Sequence, residues 1–501
     1  MRYWVGALAA GMLVGAVQAA GQSTPASAPA ESTAIDWRAA ALQDVKAAYD
    51  IYVMNHPGVE EPANKNFVAQ LQRARDAGLA RAAKARDRFD YMDALGAFTA
   101  ELSDGHAQAF ANPLPAAPSA QREWPGFVVA WRGKGAFVHR AGEGAPAPVG
   151  SRILACNGQS ITDFLKTRQG LRAFRPAEAG GWWFWTPRAF VSSPSLPLRT
   201  RAQSCRFSTP SGETVDAKLS WLPAPAELAD WQNQASDGDR TPIGLTEPRP
   251  GMFLIGLPDF QPNEQAVASY RALYEALRTR RSELLKARAV VLDLRHNNGG
   301  SSTWPQQTAH ALWGRTLVER RLAKYNRDVR VWWRATPDNI AHVVALEGRL
   351  LKEGNKEDAA WIKSVATGMK KARTAGQPFY VEEEDEAPAT GGPTVSQLKV
   401  PIYVITPGRC GSACLDAVDI FKRFDNVKLI GAPTSADSPY MDVRVADLPS
   451  GHGRIVVPNK VYSGRRRRGG EIYVPDIEVR DIDWSTAVFL DRIERDLGGR
   501  R

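Results

Sequence analysis

Ser412 stands between Cys410 and Cys414 in the stretch ITPGRCGSACLDA, where an apolar strand pattern, PIYVIT, gives way to a helical one, ACLDAVDIFKRF. A serine at the first turn of a helix meets unpaired N–H groups and the positive end of the helix dipole. Both favour developing negative charge. The commonest role of such a serine is as an N-cap, so its chemistry depends on what stands opposite. A second turn, VVLDLRHNNGG, ends another apolar strand pattern in Gly299 and Gly300. Paired glycines let the chain turn so that its amides point at a ligand. Two such turns facing each other build an oxyanion hole beside a nucleophile, which is the chemistry of acyl transfer.

The elements that must position these turns change in character along the chain. Residues 1–19 combine a basic start with an apolar run to about Val17 and small residues before the cleavage point, as in a secretory signal peptide. A retained membrane anchor is the alternative, but the run is short for a span of ~20 apolar residues. Residues 20–35 are rich in Ala, Ser and Pro and read as a disordered linker. Residues 36–110 form a helical N-terminal domain by periodicity. Residues 124–223 turn to short strand patterns parted by Gly and Pro. Within them PVGSRILACNGQSITDFL resembles the Gly-turn, strand and short helix of PDZ domains, and GGWWFWTPRAF (Trp182 to Trp185 at its centre) is a dense aromatic cluster. That cluster reads as packing, with a hydrophobic substrate wall or a membrane-surface contact as alternatives. From 250 strands alternate with helices: 250–333 and 396–501 read as two parts of one layered α/β core, split by a helical insertion at 334–395 that ends in the acidic run EEEDE.

No segment after the leader is apolar enough to span a bilayer. The mature chain is therefore expected to be exported and soluble, and periplasmic in a two-membrane bacterium. The net charge is +10, but the basic residues are spread through the helices, which implies a solvated surface and no nucleic-acid partner. The four cysteines allow three pairings in an oxidising compartment. Cys156–Cys205 and Cys410–Cys414 are favoured, the second because an i, i+4 pair across a loop-to-helix turn comes within disulfide reach. No His or Cys cluster completes a metal site, and no cofactor is implied.

The order VVLDLRHNNGG, YVITPGRCGSACLDA, KLIGAPTS, VPDIEV resembles the tail-specific, or C-terminal processing, serine peptidases and their tricorn-core relatives. The resemblance covers most of residues 36–485. It implies an α/β multidomain protein: a crotonase/ClpP-like layered α/β catalytic core, an N-terminal helical domain and a PDZ-like β-rich domain. It implies an exported serine endopeptidase acting on unfolded or C-terminally presented protein substrates through an acyl-enzyme. It makes Ser412 the nucleophile, with Ala413 N–H and Gly299 or Gly300 N–H as the oxyanion hole. The better-known branch pairs the serine with a lysine about 25 residues later, yet Asp437 occupies that place. An aspartate, with a reference pKa of ~3.9, is a poor base towards a hydroxyl. The tricorn-like branch takes a histidine from the N-terminal part and a glutamate before the final Pro-Asp motif. Here these are His106, in SDGHA, and Glu471, five residues before Asp476. Glu471 would support His106 directly or through Ser103.

Other residues carry plainer readings. Lys460 is the one plausible substitute base but reads as a solvated hairpin residue. Arg465 to Arg468 read as a solvated turn, or as partners for a substrate carboxylate or the EEEDE run. His296 and His452 stand in motif loops and are expected near the cleft. The rival to the peptidase is a catalytically silent relative that binds a peptide or hydrophobic ligand. The sequence sets no oligomeric state.

Overall fold

The computed structural model describes residues 35–102, 104–112, 122–169, 179–192, 201–382 and 391–499. The leader and nearly all of the linker, Ser103 and the acidic run beyond Glu382 lie outside the described residues.

Apolar five-residue runs with no alternation need cover on both faces, and that is what the central sheet provides. Its strands run in the order Gly244–Arg249, Met252–Gly256, Ala289–Asp293, Ile402–Thr406, Val427–Gly431 and Ile477–Glu478. The first pair is antiparallel and the rest are parallel. The three strands Met252–Gly256, Ala289–Asp293 and Ile402–Thr406 are buried throughout. One face packs on the helices Glu264–Thr279, Thr303–Trp313 and Ala413–Phe421. The first of these is capped by the Asn263 side chain, and it buries Tyr270, Leu273 and Leu277, the three-and-four spacing of one helix face. The other face shares its core with the C-terminal helix Thr486–Gly498 and with the β-rich part.

Register decides where the chemistry sits. Asp293 pairs with Ile405, so two neighbouring parallel strands end level. The two Gly-containing turns leave the carboxyl ends of those strands side by side, where open α/β sheets place their ligands.

A second sheet is built on the long strand Gly453–Ser463. Tyr440–Asp447 lies along one edge. Ala109–Ala111 and Arg330–Arg334 share the other, with Phe379–Val381 beyond. The N-terminal helices Trp37–Asn55, Phe67–Ala82 and Arg88–Ala100 close their core on this sheet, with Tyr52, Leu71, Leu95 and Phe98 against Leu448, Ile455 and Val457. The helical insertion, Pro337–Lys352 and Lys356–Thr374, hangs from it between Arg330–Arg334 and Phe379–Val381.

The β-rich part is an antiparallel sheet with the order Phe127–Arg132, Gly135–Ala141, Arg152–Cys156, Ser204–Ser208, Thr214–Lys218. Cys156 and Cys205 are cross-strand partners and are bridged. Elements that the periodicity leaves out include the strands Ala109–Ala111, Gly244–Arg249, Arg330–Arg334 and Phe379–Val381 and the helix Leu228–Asp237. The run EIYVPDIEV forms only the two-residue strand Ile477–Glu478, since Pro475 interrupts it.

Candidate active site

Ser412 heads the helix Ala413–Phe421 with φ +52° and ψ −129°, a region costly for any residue with a Cβ. Its side chain makes no capping hydrogen bond, so the N-cap role is vacant and the hydroxyl is left for chemistry. Cys410 and Cys414 are bridged, with Cα atoms 5.2 Å apart, and close a small ring around Ser412. Both are fully buried.

The glycine turn meets this ring in contact. A Cβ placed on Gly299 (φ +116°) would lie 2.8 Å from Ser412 Cβ and 3.3 Å from Ala413 N. A Cβ on Gly300 would stand 2.1 Å from Phe260 O. Neither position admits a side chain. Asn297 fixes the turn: its Nδ2 donates to Leu257 O at 2.8 Å and its Oδ1 accepts the Gly299 N–H at 2.9 Å. The Gly299 amide is thus engaged within its own turn. Of the three expected oxyanion donors, Gly300 and Ala413 remain.

His106 arrives from the far end of the sequence, three residues before the strand Ala109–Ala111 that ties this segment to the second sheet. Its backbone N–H donates to Asp104 Oδ1 at 2.9 Å, and the Ser438 hydroxyl donates to the same oxygen at 2.6 Å. The imidazole is 13% exposed, with Nδ1 3.2 Å from Asp437 Oδ1 and 3.8 Å from Asp104 Oδ1. Asp437 is held in turn. Its Oδ1 accepts the Ser438 N–H at 2.9 Å and its carbonyl accepts the Gly470 N–H at 2.8 Å. His56 Nε2 lies 3.5 Å from Asp104 Oδ2, and its ring stacks on Phe67. Burial pushes Asp104 up, but His56, His106 and Ser438 outweigh it and hold the carboxyl below its usual range. Burial pushes His56 down.

The carboxylate beside His106 is therefore Asp437 and not Glu471. Glu471 is exposed, and its Oε2 accepts the Arg468 N–H at 2.9 Å. The chain turns at Gly469–Gly470, where the Gly470 N–H donates to Asp437 O and the Glu471 side chain stays exposed. Ser103 cannot be placed as a bridge, because it lies outside the described residues.

Lys460 is also not the solvated residue expected from its hairpin. It is 1% exposed, with Nζ 2.6 Å from Asp442 Oδ2 and 4.6 Å above the Trp333 ring. Burial would lower its pKa, but Asp442, Tyr462 and Glu382 outweigh this and hold the ammonium above its ordinary value. A cation so held does not accept a proton. The arginine run is half interior: Arg465 and Arg467 pair with Asp416 and Asp419, while Arg466 and Arg468 are exposed.

His296 (φ +68°) turns away, its Nε2 against the carbonyls of Gly238 and Asp239. His452 packs on Trp37 and Tyr91 in the N-terminal helical layer. The aromatic helix Ala179–Trp185 docks the β-rich part on the loop that precedes Ser412. Trp183 packs on Gly408 and Trp484 and donates to Asp237 Oδ1 at 2.8 Å. Trp182 stacks on Trp131. A Cβ on Gly180 would meet Gly408 O at 2.6 Å and Ser435 at 2.7 Å. Packing, not exposure, is what these rings do. Among the described residues no cluster of three or more His, Cys, Asp or Glu side chains is placed to hold a metal, and no helix is long and apolar enough to cross a membrane.

Residues 252–479 match the model of peptidase family S41. Among solved structures the chain is similar to mature CPAF, at 13% identity over 91% of this chain and 96% of that one, with a TM-score of 0.59. It is equally similar to mature CPAF complexed with lactacystin, at 13% identity over 91% and 97%, with a TM-score of 0.58. At that identity the likeness is one of fold. No curated protein matches the sequence.

Proposed function

We propose, on the premise that residues 252–479 are a peptidase family S41 domain and the chain a serine peptidase, that Ser412, His106 and Asp437 form its catalytic set. Ser412 attacks the scissile carbonyl and passes its proton to His106. The oxyanion gathers the N–H groups of Ala413 and Gly300. His106 then protonates the leaving amine, and water repeats the cycle on the acyl-enzyme. Asp437 takes the part that the sequence suggests for Glu471: it fixes the imidazole and stabilises its cation. The observation that carries this reading is the 3.2 Å approach of Asp437 Oδ1 to His106 Nδ1, taken together with a strained serine whose side chain makes no capping bond.

The substrate is an extended peptide segment of an unfolded or C-terminally presented protein, met in an exported, oxidising compartment. Two disulfides support that compartment. The β-rich part acts as a PDZ-like reader that adds the peptide as a strand. Its outer strand Thr214–Lys218, exposed at alternate positions, fits such a use. A fluorophosphonate probe tests the core of the reading. Wild type labels on one serine and hydrolyses casein, and Ser412→Ala does neither. Hydrolysis retained by clean Ser412→Ala protein sinks it.

A further inference from the structure

The helix that carries Ser412 holds two carboxylates, Asp416 and Asp419, in an otherwise apolar and wholly buried run. Buried carboxylates require partners. Their partners come from the arginine run. Arg467 Nη2 donates to Asp416 Oδ1 at 2.8 Å and Nε to Asp419 Oδ2 at 3.0 Å. The same guanidinium places Nη1 3.9 Å from Asp437 Oδ2, whose other oxygen faces His106. Asp416 continues the chain in the opposite direction: its Oδ2 accepts the Ser302 hydroxyl at 2.7 Å, two residues after Gly300. Tyr473 and Tyr325 bond Asp419 Oδ1, and Arg465 joins both carboxylates.

One side chain, 3% exposed, thus bonds two carboxylates of the helix that carries Ser412, stands at ion-pair range, 3.9 Å, from the carboxylate beside His106, and reaches the glycine turn through one intermediary. Burial would lower its pKa, but Asp419, Asp416 and Asp437 outweigh this and keep it charged. Its 3% exposure and its pairing with Asp416 and Asp419 leave it turned inward, away from a substrate carboxylate. Only a planar fork of five donors can hold three carboxylates in this spread; a lysine is a point charge.

We infer that Arg467 is a positioning residue of the catalytic centre, setting Asp437, and through it His106, in register with Ser412. This rests on the proposed roles of Ser412, His106 and Asp437. Positional error of about 1 Å in such an arrangement costs roughly 100-fold, so the effect falls on the rate of the chemical step and leaves substrate binding alone.

The test is the time course of fluorophosphonate labelling of the full chain, read as rate and final stoichiometry separately, beside kcat and KM on a peptide substrate. Arg467→Met is expected to label to the wild-type stoichiometry about 100-fold more slowly, with kcat lowered and KM unchanged. Arg467→Lys, which keeps the charge, is expected to recover part of the rate. A stoichiometry that falls while the competent molecules label at the wild-type rate means a purely structural role and overturns the inference. If Arg467→Met does not fold, Arg467→Lys decides: slower labelling at full stoichiometry supports the inference, and the wild-type rate overturns it. Labelling of Ser412→Ala would instead overturn the nucleophile on which the inference rests, which separates the two failures.

Discussion

The two halves of the proposed site, one around Ser412 and one around His106, are built in opposite ways. Ser412, Ala413 and the two glycines come from adjacent parallel strands that end level, and the Cys410–Cys414 bridge closes the serine's own turn. Each turn there is local, short and rigid. The surroundings of His106 are assembled from segments far apart in the chain: Asp104 from the loop after the helix Arg88–Ala100, Asp437 and Ser438 after the strand Val427–Gly431, and Gly470 from the turn that follows the arginine run. A nucleophile elbow can be written into a dozen residues. A base must be carried to it, and its orientation is only as good as the packing of three layers.

If that contrast is right, the largest loss comes from the base itself. His106→Ala is expected to lower kcat/KM by about 10⁴-fold or more, whereas Lys460→Ala leaves the chemistry in place and costs stability, because it strands the buried Asp442 carboxylate. An active His106→Ala beside a dead Lys460→Ala, assayed on protein that melts cooperatively, would reverse the assignment.

Next is the choice of carboxylate. Asp437→Asn is expected to cost roughly 10³- to 10⁴-fold in kcat, the scale for losing a histidine-orienting aspartate, and Glu471→Gln to cost little, since Glu471 is exposed and bonded to its own turn. The opposite order in steady-state kinetics would restore Glu471 and mean that the loop carrying it rearranges when substrate binds.

A smaller effect probes the rigidity of the Ser412 half. Removing the bridge by Cys410→Ala with Cys414→Ala is expected to cost about 2 kcal/mol at most by loop entropy and to slow serine labelling, whereas Cys156→Ala with Cys205→Ala costs stability without slowing labelling. Equal labelling rates in the two variants would show that the ring is not what holds Ser412.

The smallest effect is on pH and stability. Burial pushes the Asp419 carboxyl up, but Arg467 and Arg465 outweigh it and hold it below its ordinary value. A depressed folded pKa stabilises the fold above the unfolded value, ~4, and that contribution disappears as pH falls through the lower folded value. The gap in melting temperature between wild type and Asp419→Asn should therefore be full at neutral pH and close below about pH 4. A gap independent of pH would mean that Asp419 is not charged in the fold.

Much of the Ser412 half was legible. The strands, the glycine turn, Ser412 and the Cys410–Cys414 bridge follow from patterns within a dozen residues, because hydrophobic period, Gly placement and i, i+4 spacing act locally. Asp437 was visible as the residue in the place of the missing lysine, but not as the partner of His106. Arg465 and Arg467 were misread as solvated because four arginines in a turn are usually so. A signal was present: Asp416 and Asp419 sit in a helix with no polar face, ACLDAVDIF, and carboxylates in such a helix need cations from elsewhere. Lys460 was misread for a related reason: a hairpin lysine is usually wet, and only Trp333 from the neighbouring strand and Trp361 from the helical insertion, both covering its ammonium, make this one dry.

The sequence by itself determined that strands alternate with helices, that a serine heads one helix opposite paired glycines, and that a histidine and several carboxylates are available. These depend on short-range sterics and on apolar period. Which carboxylate faces the histidine, which glycine amide stays open and which cations are buried were decided by the tertiary structure alone. The first depends on how strands more than 300 residues apart in sequence register on one another, as Ala109 does on Ile455; the others depend on side-chain contacts, Asn297 on the Gly299 amide and buried carboxylates on Lys460 and Arg467, that apolar period does not encode.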